Sequence, residues 1–155
     1  HRSVFERIDE FNEDLGPGAL GYGADMMIWQ QIKEAGLSIL PVTDTFVIHH
    51  PERSRLLRAN WLSAAERFGQ TDAYFKHHWE HCQISWPRFR ALLIRTKLSL
   101  RRLPRRVPAL DAEGVPLWEM FYLMRLSMLE SYIYESSKVR MFELRGLRRR
   151  RSLDS

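Results

Sequence analysis

The chain has 155 residues and a mass of 18.4 kDa, contains 45% hydrophobic residues including five tryptophans, and carries a formal net charge of +5. This size and composition indicate one domain with a substantial core and argue against an intrinsically disordered chain. Cys82 is the only cysteine, which excludes an internal disulfide and a zinc site built from several thiolates, and fits a reducing compartment.

The basic character belongs to the second part of the chain. Residues 1–86 hold 8 Lys and Arg against 12 Asp and Glu, a net −4, whereas residues 87–155 hold 16 against 7, a net +9. A basic region beside an acidic one predicts an anionic surface as a partner. The chain starts at His1 on an amphipathic stretch without the pattern of a secretory signal peptide, and we expect it to be either cut from a longer protein or a processed product.

In chain order, hydrophobic periodicity and breaker residues predict a mostly helical α+β fold with a few short strands. The first half should contain a helix over 2–10, a Gly/Pro loop over 12–24, a helix over 25–35 stopped by Gly36, and strands over 37–40 and 45–49. The second half should contain helices over 52–68, 71–82, 86–103 and 116–145, with a linker near 101–116 and a frayed basic tail.

The stretch LWEMFYLMRLSMLESYIY (117–134) is the most apolar part of the chain. Glu119, Arg125 and Glu130 interrupt it, and a charged residue is expensive at the centre of a bilayer. We therefore expect this helix to pack on its neighbours or lie at an interface rather than to span a membrane.

The segment GPGALGYG (16–23) places four glycines and a proline directly before Asp25. Glycine allows positive φ angles and close approach of another molecule to the backbone, so this pattern predicts an open loop. Asp25 then opens a helix, whose dipole favours the ionised carboxylate. Such a group is suited to act as a general base that removes the proton of a hydroxyl. Aspartate at this position also commonly caps a helix, and the residues alone leave both interpretations open.

The order of landmarks over residues 2–60 resembles the acceptor-side part of family 2 glycosyltransferases of the GT-A fold. That family has a helix ending near "G-F-D-E", a Gly-rich loop, an acidic pair opening a helix, a glycine, and a strand of the type "I-x-Y-x-P-D-A-x-V-x-H-H". The matching landmarks of this chain are Phe11, Asn12, Glu13, Gly16 to Gly23, Asp25, Gly36, Ile39, Asp44, Val47, His49 and His50.

The resemblance implies an inverting transfer of a sugar from a nucleotide-sugar donor to a saccharide or lipid-linked acceptor, with Asp25 as the catalytic base. It further implies a divalent metal cofactor, Mn²⁺ or Mg²⁺, near His49. The acceptor pocket would be bordered by Gly16, Pro17, Gly18, Gly21, Tyr22 and Gly23, with Tyr22 stacking on a sugar ring.

The chain departs from the family pattern at several positions. Ala24 stands where the family usually has the first acid of the pair, Met27 replaces a second frequent acid, and Gln31 replaces a frequent arginine. The chain contains no Asp-x-Asp motif, which the family carries in its nucleotide-binding half. We therefore expect residues 1–60 to be the acceptor-side segment of a GT-A domain, residues 61–155 a helical basic appendage, and the isolated chain to be inactive.

A histidine pair and two basic segments each allow two interpretations. His77 and His81 lie one helical turn apart, a spacing that suits metal ligands, but a polar helix face around a buried Trp79 is the favoured interpretation. The basic segments 86–106 and 145–151 are expected to touch an anionic membrane surface, with nucleic acid disfavoured because interleaved stacking aromatics are lacking. We expect a cytoplasmic protein at the inner face of the membrane. The alternative function is a non-catalytic helical module whose basic tail binds lipid or nucleic acid.

Overall fold

The computed structural model describes residues 2–16, 18–103 and 107–147, and there the chain is mostly helical, as predicted. The four α-helices are α1 (Ala24–Glu34), α2 (Arg58–Tyr74), α3 (Pro87–Arg102) and α4 (Leu117–Glu135). Short 3-10 turns lie at Arg2–Glu6, Glu13–Leu15 and Arg53–Leu56, and a π-helical turn at Phe75–Trp79 continues α2.

The prediction of strands over 37–40 and 45–49 is wrong for the chain by itself. Both stretches are extended, but residues 38–51 form no backbone–backbone hydrogen bond with any described residue. Phe46 and Val47 are 82% and 92% exposed. A strand needs a partner for its backbone groups and a face to bury, and β-branched residues supply only the local preference. An isolated antiparallel β-bridge joins Leu57 to Glu113.

The start of α1 and its end agree closely with the prediction. Gly36 has a φ of 67°, and its N–H donates to the carbonyl of Lys33 at 3.0 Å. The N–H of Leu37 donates to the carbonyl of Ile32 at 3.0 Å. This pair of bonds is a Schellman motif, which requires a left-handed residue and therefore favours glycine. The role of Gly36 as the end of this helix is confirmed.

The helices predicted over 52–68 and 71–82 form one continuous element instead. No proline or internal cap separates them, so α2 runs to Tyr74 and its last turn widens into the π-helical turn. The chain leaves this element at His81, which has a φ of 53°. Trp86, at a φ of 56°, and Pro87 then open α3 where the sequence places it.

The last helix is shorter than predicted, because α4 ends at Glu135 rather than near residue 145. The hydroxyls of Ser136 and Ser137 donate to the carbonyls of Ile133 and Tyr134 at 3.1 and 2.7 Å. Serine side chains that bond nearby carbonyls compete with continuation of a helix. The residues that follow instead fold back against the π-helical turn.

The helix α4 lies at the centre of the fold and packs against both α2 and α3. One core cluster joins the loop side to α2 and to the segment after α4, and a second joins α3 to α4. The first comprises Leu15, Met27, Tyr74, Phe75, Trp79 and Phe142, and the second Ala91, Leu98, Leu126 and Leu129. The first cluster contains residues from both sides of position 60, and α2 runs through that predicted boundary.

Residues 107–116 lack a helix, as expected of a linker, but they are hydrogen-bonded to the start of α2. The N–H groups of Arg58 and Ala59 donate to the carbonyls of Ala112 and Leu110 at 2.7 and 3.0 Å. The first N–H groups of a helix have no partner inside it, and here no side chain caps them. The linker carbonyls therefore take the place of an N-cap.

Candidate functional site

The glycine-rich loop adopts the backbone geometry that its composition predicts. Gly18, Gly21 and Gly23 have φ angles of 91°, 76° and 92°, a region that side chains with a Cβ rarely occupy. Gly16 is extended, with a φ of −75°, and Pro17 lies outside the described residues. Three of the four glycines are therefore needed for the course of the loop.

The end of the loop is held against α2. The hydroxyl of Thr71 donates to the carbonyl of Tyr22 at 3.2 Å. A Cβ on Gly23 would lie 2.5 Å from Cγ2 of Thr71 and 3.3 Å from the ring of Phe75. Any larger residue at position 23 would push the loop away from α2. Gly23 thus fixes both the direction of the chain and its distance from the helix immediately before Asp25.

Tyr22, the residue expected to stack on a sugar, is half-buried and contacts a ring of this chain. Its ring centroid lies 4.6 Å from that of Phe68, with the planes tilted by 46°. Phe68 remains 42% exposed, so the pair forms an aromatic step beside the loop. Stacking of a sugar on Tyr22 stays a prediction.

Asp25 is the second residue of α1 and its side chain is exposed. One carboxylate oxygen, Oδ1, accepts a hydrogen bond from the N–H of Met26 at 2.9 Å. The other oxygen forms no hydrogen bond with any described residue. The N-cap position belongs to Gly23, so Asp25 does not serve as the cap itself. Its carboxylate is anchored on one side and open on the other.

His49, the predicted metal ligand, lies in the exposed extended segment. Over the ranges that the structure describes, no group of three or more His, Cys, Asp or Glu side chains is arranged to hold a metal ion. A lone imidazole does not make a metal centre. The divalent cation that the resemblance implies near His49 stays a prediction, and no chemical step is assigned to one.

The histidines of the segment HHWEHC (77–82) form hydrogen bonds to the end of α4 and to the residues that follow it. His77 donates through Nε2 to the carbonyl of Lys138 at 3.0 Å, and His81 donates through Nε2 to the carbonyl of Phe142 at 3.0 Å. These two bonds tie the π-helical turn to the segment after α4. Trp79 is buried, as predicted, with its ring 5.6 Å from that of Phe142.

A buried polar chain begins at the loop and was not foreseen from the sequence. Asn12 donates through Nδ2 to the hydroxyl of Tyr74 at 2.8 Å, and that hydroxyl donates to Oδ2 of Asp14 at 3.1 Å. The ring of Tyr74 lies 4.5 Å from the imidazole of His78. Asn12 and Glu13 match landmarks of the family pattern, but no sequence signal connects Asp14 to a tyrosine 60 residues away.

His78 continues this chain into α4. Its Nδ1 accepts from the N–H of Met141 at 3.2 Å, so Nε2 carries the proton and donates to Glu135 at 2.9 Å. Burial lowers the pKa of His78 although the hydrogen bond to Glu135 opposes this. Glu135 also accepts from Lys138 at 2.9 Å. The pKa of Lys138 is raised because the hydrogen bond and charge of Glu135 outweigh partial desolvation.

Among the helices that the structure describes, none is long and apolar enough to cross a bilayer. Comparison with known proteins gives no further identification: no family model, no curated protein and no solved structure matches this chain.

Proposed function

We propose that this chain is the acceptor-side part of an inverting glycosyltransferase of the GT-A type, with Asp25 as the base. The observation that supports this most is the setting of Asp25. It is an exposed carboxylate at the start of α1 with one oxygen free of described partners, and it follows a loop in which three of the four glycines have positive φ angles. The resemblance over residues 2–60 supplies the reaction class.

The first step assigned to this chain is deprotonation of the acceptor. Oδ2 of Asp25 faces no described hydrogen-bond partner and takes the proton of an acceptor hydroxyl. The freed oxygen attacks the anomeric carbon of the donor sugar, the bond from that carbon to the diphosphate oxygen breaks, and the nucleoside diphosphate leaves. One displacement inverts the configuration at the anomeric carbon. A positioned base of this kind contributes about 10²–10⁴-fold to the rate.

The extended segment 38–51 supports the same proposal from a different direction. In GT-A enzymes the corresponding stretch is a strand, and here it is extended and apolar with unbonded backbone groups. Leu40, Phe46 and Val47 are all strongly exposed. A segment of this kind is completed when a neighbouring sheet pairs with it. We assign that sheet to the nucleotide-binding half, which would also carry the Asp-x-Asp motif and the metal.

The test uses the complete protein in which this chain occurs, with a panel of nucleotide-sugars and release of nucleoside diphosphate as the readout. Asp25→Asn should reduce transfer by about 10²–10⁴-fold while binding of the donor is retained. Asp111→Asn is the matched control, because Asp111 is also an exposed aspartate and lies in the linker. Transfer by the Asp25→Asn protein at the native rate would refute the role of Asp25.

The rival function, a non-catalytic helical module, makes the opposite prediction for the same experiment. Such a module shows no release of nucleoside diphosphate with any donor, and Asp25→Asn leaves its binding to a partner unchanged. The two functions are therefore separated by one pair of variants.

A further inference from the structure

A groove with a volume of about 300 Å³ lies between α3 and α4. Its apolar wall is formed by Leu93, Ile94 and Phe121. Its charged wall is formed by Arg90, Lys97 and Arg125, and no acidic side chain lines it. An apolar floor edged by cations alone is complementary to an anion that carries a hydrocarbon part.

The three cations of the groove are available for a ligand. Arg90, Lys97 and Arg125 are exposed, and none of them forms a salt bridge with a described residue. Their neighbours on α3 are engaged, since Arg95 pairs with Glu130 and Arg102 pairs with Glu119.

A fourth cation adjoins the groove. The guanidinium of Arg101 lies over the ring of Tyr122, 5.0 Å from its centroid, and Tyr122 lines the groove. The sequence reinforces the sign of this region, because residues 81–110 contain eight Lys and Arg and no Asp or Glu. No acidic residue of α3 therefore reduces the positive potential of the groove.

The outward face of α3 is apolar. Ala91 and Leu98 are buried against α4, and the side turned away from them exposes Phe89, Leu93, Leu100 and Leu103, of which Leu93 also borders the groove. These four residues follow one another at intervals of four, seven and three, so they form one stripe along the helix. Trp86, at the start of α3, is 78% exposed. An apolar stripe with basic flanks and an exposed tryptophan is typical of a helix that lies in a membrane interface.

We propose that α3 and the groove beside it form a docking surface for a bilayer containing anionic phospholipid. Headgroup phosphates bind Arg90, Lys97 and Arg125, and the stripe with Trp86 enters the boundary between headgroups and acyl chains. A bilayer is favoured over nucleic acid because only a bilayer covers the apolar stripe and the cations together. This proposal does not depend on the glycosyltransferase activity.

The test measures partition of the native chain into phosphatidylcholine vesicles with and without phosphatidylglycerol, by co-sedimentation. We expect binding only when the anionic lipid is present. The triple variant R90Q/K97Q/R125Q should lose on the order of 100-fold in partition coefficient, because each Lys or Arg at an anionic leaflet contributes separately. The matched control is R2Q/K33Q/R55Q, which removes two arginines and one lysine that are exposed on other elements.

A second variant tests the apolar contribution without changing charge. Trp86→Ser with Leu100→Ser alters two exposed side chains, so the fold should be retained, and binding to anionic vesicles should fall by at least about tenfold. Circular dichroism of every variant checks that helix content is unchanged.

Three outcomes would overturn the proposal. The first is native partition that does not respond to phosphatidylglycerol. The second is an equal loss in the groove variant and in the control, which would mean that only net charge matters. The third is binding to a single-stranded oligonucleotide that is abolished by the groove variant, while vesicle binding is insensitive to the Trp86→Ser/Leu100→Ser change.

Discussion

Glu119 joins three helices through a buried ion cluster. It lies in the first turn of α4, and its Oε1 accepts from Nη2 of Arg58 at 2.5 Å and from Nε and Nη2 of Arg102 at 2.9 and 2.7 Å. The side chains of Arg58 and Glu119 are 2% and 1% exposed, whereas Arg102 is 37% exposed. Arg58 opens α2 and Arg102 ends α3. One carboxylate thus pairs with a cation from each of two other helices, and the cluster keeps one net positive charge on the side of the partly exposed Arg102.

The substitution Glu119→Gln keeps the size of the side chain and removes its charge. Arg58 then stays buried without a counter-ion, and its Nε and Nη1 already lack hydrogen-bond partners among the described residues. Removing one partner of a buried ion pair costs about 3–5 kcal/mol, which is a large part of the about 5–15 kcal/mol that stabilises a typical domain. We expect the midpoint of urea unfolding to fall by about 2 M.

Urea unfolding followed by far-UV circular dichroism measures this change, with Glu130→Gln as the control. Glu130 pairs with Arg95 at the surface, and an exposed pair contributes only about 0–1 kcal/mol. Losses that agree within about 0.5 kcal/mol for the two variants would refute the reasoning, because burial would then have no influence on the ion pair.

The pH dependence gives an independent check. Burial alone would raise the pKa of Glu119, but its hydrogen bonds to Arg58 and Arg102 lower it below the ordinary value of 4.5. A carboxyl whose pKa is lower in the folded state stabilises the fold above the unfolded pKa and loses this contribution as the pH falls through the folded pKa. Stability of the native chain should therefore decline below about pH 4.5, and Glu119→Gln should weaken that decline.

Three further predictions concern other sites. Gly69→Ala should destabilise the fold by about 1–3 kcal/mol in the same urea assay, since a Cβ there would lie 2.3 Å from the carbonyl oxygen of Met124. An unchanged midpoint of unfolding would show that α4 can shift away from α2 without loss of stability. Gly23→Ala should lower both the stability of the fold and any transfer activity, because the φ of this residue is 92° and the added Cβ would meet Thr71. Gly114→Ala is the control. Its Cβ would meet no atom within 4 Å, so it should show only the cost of placing alanine at a φ of 78°. Burial lowers the pKa of His78 below 6.5, so stability should fall as the pH drops below about 6.5, and the decline should be smaller in His78→Gln when unfolding is compared at several pH values between neutral and acidic.

The sequence predicts those parts of the fold that depend on local physics. The C-terminal end of α1 follows from Gly36, and the start of α3 follows from Pro87. The effects of these two residues on the backbone need no distant partner. The exposure of Asp25 and the positive φ angles of the loop follow from the glycines around it. These features are decided within a few residues of the chain, so a pattern of residue types is sufficient to find them.

Long-range contacts were not predictable in the same way. A glycine within a helix is expected to weaken it, yet the backbone of α4 packs directly against Gly69. The hydroxyl of Ser127 donates beside it to the carbonyl of Glu66 at 2.7 Å. The ion cluster of Arg58 and Glu119 spans 61 positions. The strand prediction is wrong for the opposite reason. β-branched residues give these stretches a local preference for extended backbone, but no described residue pairs with them.

The α3 stripe and segment 38–51 are both exposed and apolar, but they need different partners, because their backbones differ in hydrogen bonding. The α3 stripe belongs to a helix whose amide groups are already bonded within it, so it requires only an apolar and anionic environment such as a bilayer. Segment 38–51 has free backbone donors and acceptors as well as exposed apolar side chains, so it requires hydrogen-bonding partners that a bilayer lacks. Binding to vesicles should therefore slow amide exchange little in this segment, whereas pairing with a neighbouring sheet should slow it strongly. Because of this difference in backbone bonding, the proposed membrane docking and the proposed pairing with a nucleotide-binding half use different surfaces and do not compete.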